Sequence, residues 1–104
     1  MMTDQQVALK YVAKINSSRA RGINFSLTFA QYKRLISTKK CFYTGKLLTK
    51  SGDTQLTIDR IDASKGYESG NCVVCCRDIN NKKKDLTISE IELIYKKVLR
   101  FKNK

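Results

Sequence analysis

The chain has 104 residues and a mass of 11.9 kDa, enough for one compact domain and too little for two. Its 21 Lys and Arg against 9 Asp and Glu give a net charge of +12, which favours a polyanionic partner such as nucleic acid. No apolar run reaches the roughly 20 residues that span a bilayer, and the first residues lack a signal-peptide pattern. We therefore expect a protein that is neither secreted nor inserted in a membrane.

Three helices are predicted by one start signal, a Thr followed three residues later by Gln or Glu, which is typical of a capping box. The signal occurs at Thr3, Thr28 and Thr87 and predicts helices over about 4–17, 29–38 and 88–101. Each helix has an apolar stripe that we expect to be buried. The stripes are Ala8, Tyr11, Val12 and Ile15; Tyr32, Leu35 and Ile36; and Ile88, Ile91, Ile94, Tyr95 and Val98.

The segment between the second and last helices has a different pattern, in which Gly residues separate short strand-like pieces. The pieces at 55–58 and 72–75 predict a β-hairpin. A short helix is predicted from Cys76 to Lys84, and it would expose Lys82, Lys83 and Lys84. We therefore predict a single α+β domain over 1–104, with N-terminal helices at about 4–38, a ββα core at about 41–86 and a C-terminal helix at about 88–101.

The chain has four cysteines, Cys41, Cys72, Cys75 and Cys76, and no histidine. Without a signal peptide the cysteines are expected to be thiols rather than disulfides. Cys72 and Cys75 stand three residues apart on a predicted strand, so their side chains should point to opposite faces. We predict buried thiols and no structural zinc. The absence of histidine also removes the commonest general base.

Polar residues gather where the first predicted strand ends, in the segment 56–62. This segment includes Asp59, Arg60 and Asp62. We expect the hairpin and the helix that follows it to bring Asp59 towards Asn71 and Asn80. Carboxylate and amide oxygens beside a turn are well placed to hold a hard cation.

The central region contains six short sequence motifs: Arg21–Thr28, Cys41–Gly45, Thr57–Asp62, Lys65–Tyr67, Gly70–Asn71 and Asn80–Lys83. Their order and spacing resemble the HNH endonucleases, also called His-Me finger or ββα-metal nucleases, and particularly small phage-encoded members, over about 17–87. The resemblance implies an HNH-like ββα-metal finger with flanking helices that hydrolyses phosphodiester bonds in DNA. It also implies action in the cytoplasm of a phage-infected bacterial cell.

The resemblance assigns roles to four residues. It implies that Asp59 and Asn80 hold Mg²⁺ or Mn²⁺, that Asn71 braces the loop, and that Lys83 lies near phosphate. At the position of the family's water-activating His, this chain has Arg60, which cannot act as a base but can hold a phosphate. The family's zinc-binding Cys-x-x-Cys pairs are incomplete as well, because Thr44 and Ile79 replace their second members.

Two functions stay open because a general base contributes about 10²- to 10⁴-fold to a rate. The first is a slow nuclease, in which the metal, Tyr67 or Asp62 activates water. The second is an inactive HNH-derived protein that binds nucleic acid, or that inhibits or assists a host or viral enzyme as a protein partner. For either function the expected nucleic-acid contacts are Arg19, Arg21, Lys39, Lys40, Arg60, Lys65, Lys82, Lys83 and Lys84.

Overall fold

The computed structural model describes residues 2–104. In chain order its elements are α1 (Asp4–Ala20), α2 (Phe29–Ile36), β1 (Leu56–Arg60), β2 (Cys72–Cys76), α3 (Arg77–Lys83) and α4 (Ile88–Lys102). β1 and β2 form an antiparallel two-stranded sheet, with Leu56 opposite Cys76 and Arg60 opposite Cys72. α3 follows β2 directly, which completes a ββα unit. The predicted α+β class, a ββα unit with helices before and after it, is confirmed.

The predicted helix starts are correct. Thr3, Thr28 and Thr87 each accept a hydrogen bond from the backbone N–H three residues on, and the Gln or Glu side chain there bonds back to the Thr N–H. The first helix extends three residues beyond its predicted end at 17, to Ala20. It ends where Gly22 adopts a φ of 70°, the left-handed conformation that terminates many helices.

The main core lies between α1, α2 and one face of the hairpin. Its buried members are Val7, Leu27, Tyr32, Ile36, Ile58, Tyr67 and Val74. Tyr11 packs beside them, with its ring against Phe25, Phe29 and Tyr32, and its hydroxyl donates to the carbonyl of Leu27 at 2.7 Å. An apolar ring with one satisfied polar atom is well suited to this border of the core. These contacts fix α1 and α2 against the hairpin.

A second, smaller cluster of Cys41, Cys75 and Cys76 covers the other side of the hairpin. All three side chains are buried, and Cys72 packs against the main core instead. The prediction that Cys72 and Cys75 point to opposite faces is therefore confirmed. Cys41 reaches this cluster because the backbone N–H of Phe42 donates to the carbonyl of Val74 on β2 at 2.8 Å.

Two of the predicted stripes are wrong in whole or in part. In α1, Val12 is exposed and Val7 is buried instead, because the face turned towards the core runs through Val7, Tyr11 and Ser18. In α4 no residue is buried, and over residues 2–104 no other helix or strand lies against it. The radius of gyration of 15.1 Å exceeds the roughly 13 Å expected for this length because α4 projects from the rest.

Across residues 2–104, no helix combines the length and the apolar character needed to cross a membrane.

Candidate active site

The centre of the site is a buried ion pair between Asp59 and Lys83. Asp59 lies near the end of β1 and is 6% exposed, and Lys83, in the last turn of α3, is 7% exposed. The Lys83 Nζ lies 3.2 Å from Asp59 Oδ2 and 3.5 Å from Oδ1, and it also donates to the Arg60 carbonyl at 3.3 Å. The ammonium neutralises the carboxylate that the ββα unit buries.

This burial corrects one sequence-based expectation. Lys82 and Lys84 are exposed as predicted, but Lys83 is not, so it is no free phosphate contact in this structure. The periodicity of α3 explains the difference. Lys83 lies on the side of the short helix that faces β1, whereas Lys82 points outward and pairs with Asp78 at 3.3 Å.

Tyr43 is a site residue that the sequence analysis missed. Its hydroxyl donates to Asp59 Oδ2 at 2.5 Å. Burial and the bond to Asp59 raise the pKa of Tyr43 well above its ordinary value, so the hydroxyl keeps its proton and acts as a donor. The segment Cys41–Gly45 was part of the family resemblance, but 16 residues separate Tyr43 from Asp59, and no local pattern links the two.

Arg60 secures the loop that follows β1. Its Nη1 donates to the carbonyls of Ala63 at 3.0 Å and Lys65 at 2.9 Å, and the guanidinium lies 5.4 Å from the centre of the Tyr67 ring. Lys14 approaches the same ring at 4.4 Å. A cation over an aromatic face is held by the ring quadrupole, so Tyr67 holds the positive charges of Arg60 and Lys14 close to each other.

Asn71 holds the two ends of the same loop together. Its Nδ2 donates to the carbonyls of Asp62 at 3.1 Å and Gly66 at 2.9 Å, while its Oδ1 accepts from the Asp62 N–H at 2.9 Å. Asn71 is buried, so these bonds satisfy polar groups that water does not reach. Gly66 is required here because a Cβ would lie 2.4 Å from the carbonyl oxygen of Asn24.

Asn80 is half-buried on α3 and is fixed to β1. Its Nδ2 donates to the Thr57 hydroxyl at 3.0 Å, and that hydroxyl also bonds to the Cys75 carbonyl at 3.0 Å. The amide nitrogen is therefore engaged, which leaves the amide oxygen as the atom that could bind a cation. Asn80 lines the same groove as Asp59 and makes no hydrogen bond with it.

An open groove of about 1760 Å³ runs past Asp59, Arg60 and Asn80. Its lining is strongly basic, with only Asp4 and Asp85 as further acids. Three of the predicted contacts besides Arg60 lie in it, and four basic residues were missed. The basic lining residues are Lys10, Lys14, Arg21, Lys33, Lys39, Lys50, Arg60 and Lys84.

The other predicted contacts, Arg19, Lys40, Lys65 and Lys82, are exposed but do not line this groove. One signal for the missed residues was present in the sequence. Lys10 and Lys14 are four residues apart within the first predicted helix, which places them on one face of that helix. The other two missed lysines, Lys33 and Lys50, join the groove through the tertiary fold alone.

A divalent cation beside Asp59 would meet few protein ligands. Over residues 2–104 no group of three or more His, Cys, Asp and Glu side chains could hold a metal ion. Mg²⁺ is commonly bound through one or two carboxylates together with substrate phosphates and water. Asp59 and the Asn80 amide oxygen are oxygen donors of that kind, but both Asp59 oxygens contact the Lys83 ammonium and Oδ2 also accepts from Tyr43, so a cation fits there only where it displaces Lys83.

The comparisons with known proteins agree with this architecture. No family model matches the chain. The HNH restriction endonuclease PacI has a similar fold, with a TM-score of 0.63 and 19% sequence identity over 90% of this chain and 75% of that chain. The fold is therefore HNH-like.

Two viral proteins are similar in sequence. An uncharacterised protein of Acanthamoeba polyphaga mimivirus is 32% identical over 79 residues, which is 76% of this chain and 14% of that protein. An uncharacterised 29.0 kDa protein of Enterobacteria phage T4 is 28% identical over 76 residues, which is 72% of this chain and 31% of that protein. The chain thus spans less than a third of the length of either relative.

Proposed function

We propose that this chain is an HNH-type endonuclease domain that hydrolyses phosphodiester bonds in DNA with the help of Mg²⁺ or Mn²⁺. One observation carries the proposal: the ββα unit of an HNH-like fold buries Asp59 beside Arg60 at a groove lined by eight basic side chains. Such a groove attracts a phosphate backbone and releases its counterions. Similarity to two viral proteins, over 79 and 76 residues, supports action inside an infected cell.

The oxygen atoms of Asp59 and Asn80 would hold the metal ion. When bound, a divalent ion supplies Lewis-acid stabilisation of the phosphate and of the departing oxygen. The protein contributes the position of the carboxylate, which Tyr43 fixes through its hydrogen bond to Oδ2. Because Tyr43 keeps its proton, its role is to position Asp59 rather than to act as the base.

Arg60 is the proposed phosphate contact next to the scissile bond. Its two bonds to loop carbonyls use Nη1, so the other guanidinium N–H groups are free to donate to phosphate oxygens. A guanidinium offsets negative charge that builds in the transition state. Lys83 neutralises Asp59 in the free protein, which lets the fold bury a carboxylate without a bound ion.

A second function is favoured by the same ion pair. If the Lys83 ammonium stays paired with Asp59 when DNA is bound, Asp59 cannot hold a metal ion, and the groove binds DNA without cutting it. The chain would then be an inactive nucleic-acid-binding protein, or an accessory protein of a host or viral enzyme. The lack of any histidine agrees with this alternative.

The two functions are separated by incubating the purified chain with supercoiled plasmid and with branched DNA in Mg²⁺, Mn²⁺ or EDTA. The proposal predicts cleavage with a divalent ion, none in EDTA, and retardation of DNA in both buffers. Retarded but intact DNA in every buffer would favour the inactive binder. A chain that neither binds nor cuts DNA would contradict both nucleic-acid functions and direct the search to a protein partner.

A further inference from the structure

The helix α4 presents an apolar face that nothing in the described chain covers. Its exposed apolar side chains include Ile88 at 55%, Ile94 at 50%, Tyr95 at 63%, Val98 at 51% and Phe101 at 76%. At 3.6 residues per turn these five lie on one side of the helix. Over residues 2–104 no other helix or strand lies against α4. A contiguous apolar face of this kind is typical of an interaction surface.

The charges of α4 are separated along its length. The first half holds Glu90 and Glu92, and the second half holds Lys96, Lys97, Arg100 and Lys102. A second α4 laid antiparallel against the first brings each acidic half against a basic half. A parallel arrangement would bring the two basic halves together. The charge pattern is therefore complementary to a second copy of the same helix running in the opposite direction.

The register follows from the heptad positions. Ile91 and Ile94 stand three residues apart, as do positions a and d, which places Glu90 and Lys97 at the flanking g positions. When Ile91 of one copy lies opposite Ile94 of the other, antiparallel geometry sets Glu90 against Lys97 of the second copy, and the twofold axis repeats this pair. A parallel pair would instead set Lys97 against Lys102.

We infer that α4 is a dimerisation helix and that two copies of this chain pair through antiparallel α4 helices about a twofold axis. A twofold interface uses the same patch on both subunits, which is what a self-complementary helix offers. Glu90 is compatible with the pair, because its Oε1 accepts from the Thr87 N–H at 2.9 Å and Oε2 is left for Lys97 of the second copy. In this register Ile91 and Ile94 of both copies are buried at the centre of the interface, and Val98 lies beside the first turn of the second copy's helix.

Analytical ultracentrifugation of the full chain tests the pairing through Ile94. The wild type is expected to form a species of twice the 11.9 kDa chain mass that dissociates on dilution. Ile94→Asp buries two carboxylates at the centre of the interface and should weaken the dimer at least about 100-fold. Leu93→Asp is the matched control, because Leu93 is 58% exposed but lies at heptad position c, outside the a and d positions, so its dimer should be unchanged.

A charge swap tests the orientation without touching the apolar face. Glu90→Lys alone and Lys97→Glu alone each create like-charge pairs across the axis and should weaken the dimer. Mixed together, the two variants should form a heterodimer in preference to either homodimer, because both cross-axis pairs are then opposite in charge. Circular dichroism of each variant checks that α4 is still helical.

A wild type that stays monomeric at every concentration would overturn the inference. So would a dimer that Ile94→Asp does not weaken, since another surface would then hold it. Variants that fail to form heterodimers while their homodimers weaken would overturn the antiparallel register. A chain that stays monomeric and binds a different protein through α4 would overturn the dimer and show that this protein covers the apolar face.

Discussion

The helices α1 and α4 begin with the same capping box and have similar lengths, 17 and 15 residues, yet only α1 packs against the rest of the chain. α1 has the weaker apolar pattern, since Lys14 and Ser18 share its inner face with Val7 and Tyr11. α4 has the clearer stripe and buries none of it. An amphipathic pattern thus predicts that a face will be covered, and it does not say which molecule covers it.

α4 also differs from the rest of the chain in its contribution to the stability of the fold. The hairpin, α1, α2 and α3 share buried contacts, so a change in any one of them alters the stability of all. α4 shares none of these contacts, so its helix can form or fray on its own. The following experiments measure how large this difference is.

The largest expected effect is the loss of the buried ion pair. Lys83→Met leaves the Asp59 carboxylate buried without its cation and should lower the free energy of unfolding by about 3 to 5 kcal/mol. Lys82→Met removes the exposed pair with Asp78 from the same helix and should cost under about 1 kcal/mol. Urea denaturation of both variants beside the wild type measures the difference. Equal losses would show that the Lys83 pair is not buried in solution.

Removing the loop brace should have the next largest effect. Asn71→Ala deletes three hydrogen bonds and leaves buried polar groups unsatisfied, so we expect a loss of about 2 to 3 kcal/mol. Asn81→Ala, at an exposed position of α3, should change stability by no more than about 0.5 kcal/mol. Thermal and urea unfolding of the two variants give the comparison. An Asn71→Ala protein as stable as the Asn81→Ala protein would show that the Asn71 hydrogen bonds do not stabilise the loop.

The cysteine cluster predicts a dependence of stability on pH. Burial raises the pKa of Cys41, but hydrogen bonds from the Thr44 side chain and from nearby backbone N–H groups outweigh it and lower the pKa to about 7, from an ordinary 9.0. The unfolded chain therefore binds more protons between these values, and the free energy of unfolding should rise with pH from about 7 to 9. The rise is at most about 2.7 kcal/mol.

The variants Cys41→Ala and Cys72→Ala isolate this dependence. Cys41→Ala should lack the rise and Cys72→Ala should keep it, because burial raises the pKa of Cys72 instead. Above pH 9 the curve should turn down, since burial raises the pKa of Cys75 to about 11 and that contribution is lost as the pH increases. Urea titrations under reducing conditions give each point. The same slope in both variants would contradict the assignment to Cys41.

The smallest effect compares two identical caps. Thr28→Ala removes the cap of a packed helix and should lower the free energy of unfolding by about 1 kcal/mol. Thr87→Ala removes the same cap from α4 and, in dilute monomer, should leave the cooperative unfolding of the rest unchanged. Tyr fluorescence during urea unfolding reports the cooperative transition. If Thr87→Ala costs as much as Thr28→Ala, α4 is coupled to the core.

Local signals predicted much of the fold and part of the site. Capping boxes and glycine-punctuated strands are read from neighbours in sequence, which is why the helix starts and the hairpin were predictable. The burial of Lys83 and the role of Tyr43 were not, because their contacts with Asp59 span 24 and 16 residues. The exposed stripe of α4 could not be recognised from one chain, because its spacing matches that of a core helix.

The most direct test of the proposed nuclease is the rate at which supercoiled plasmid is nicked in Mg²⁺ by the wild type, Asp59→Asn and Asp53→Asn. The last variant makes the same charge change at an exposed position in the loop before β1. We predict that Asp59→Asn slows nicking by at least about 100-fold, binds DNA as the wild type does and keeps a folded circular dichroism spectrum, while Asp53→Asn nicks normally. Nicking by Asp59→Asn at the wild-type rate, or no nicking by the wild type, would contradict the account.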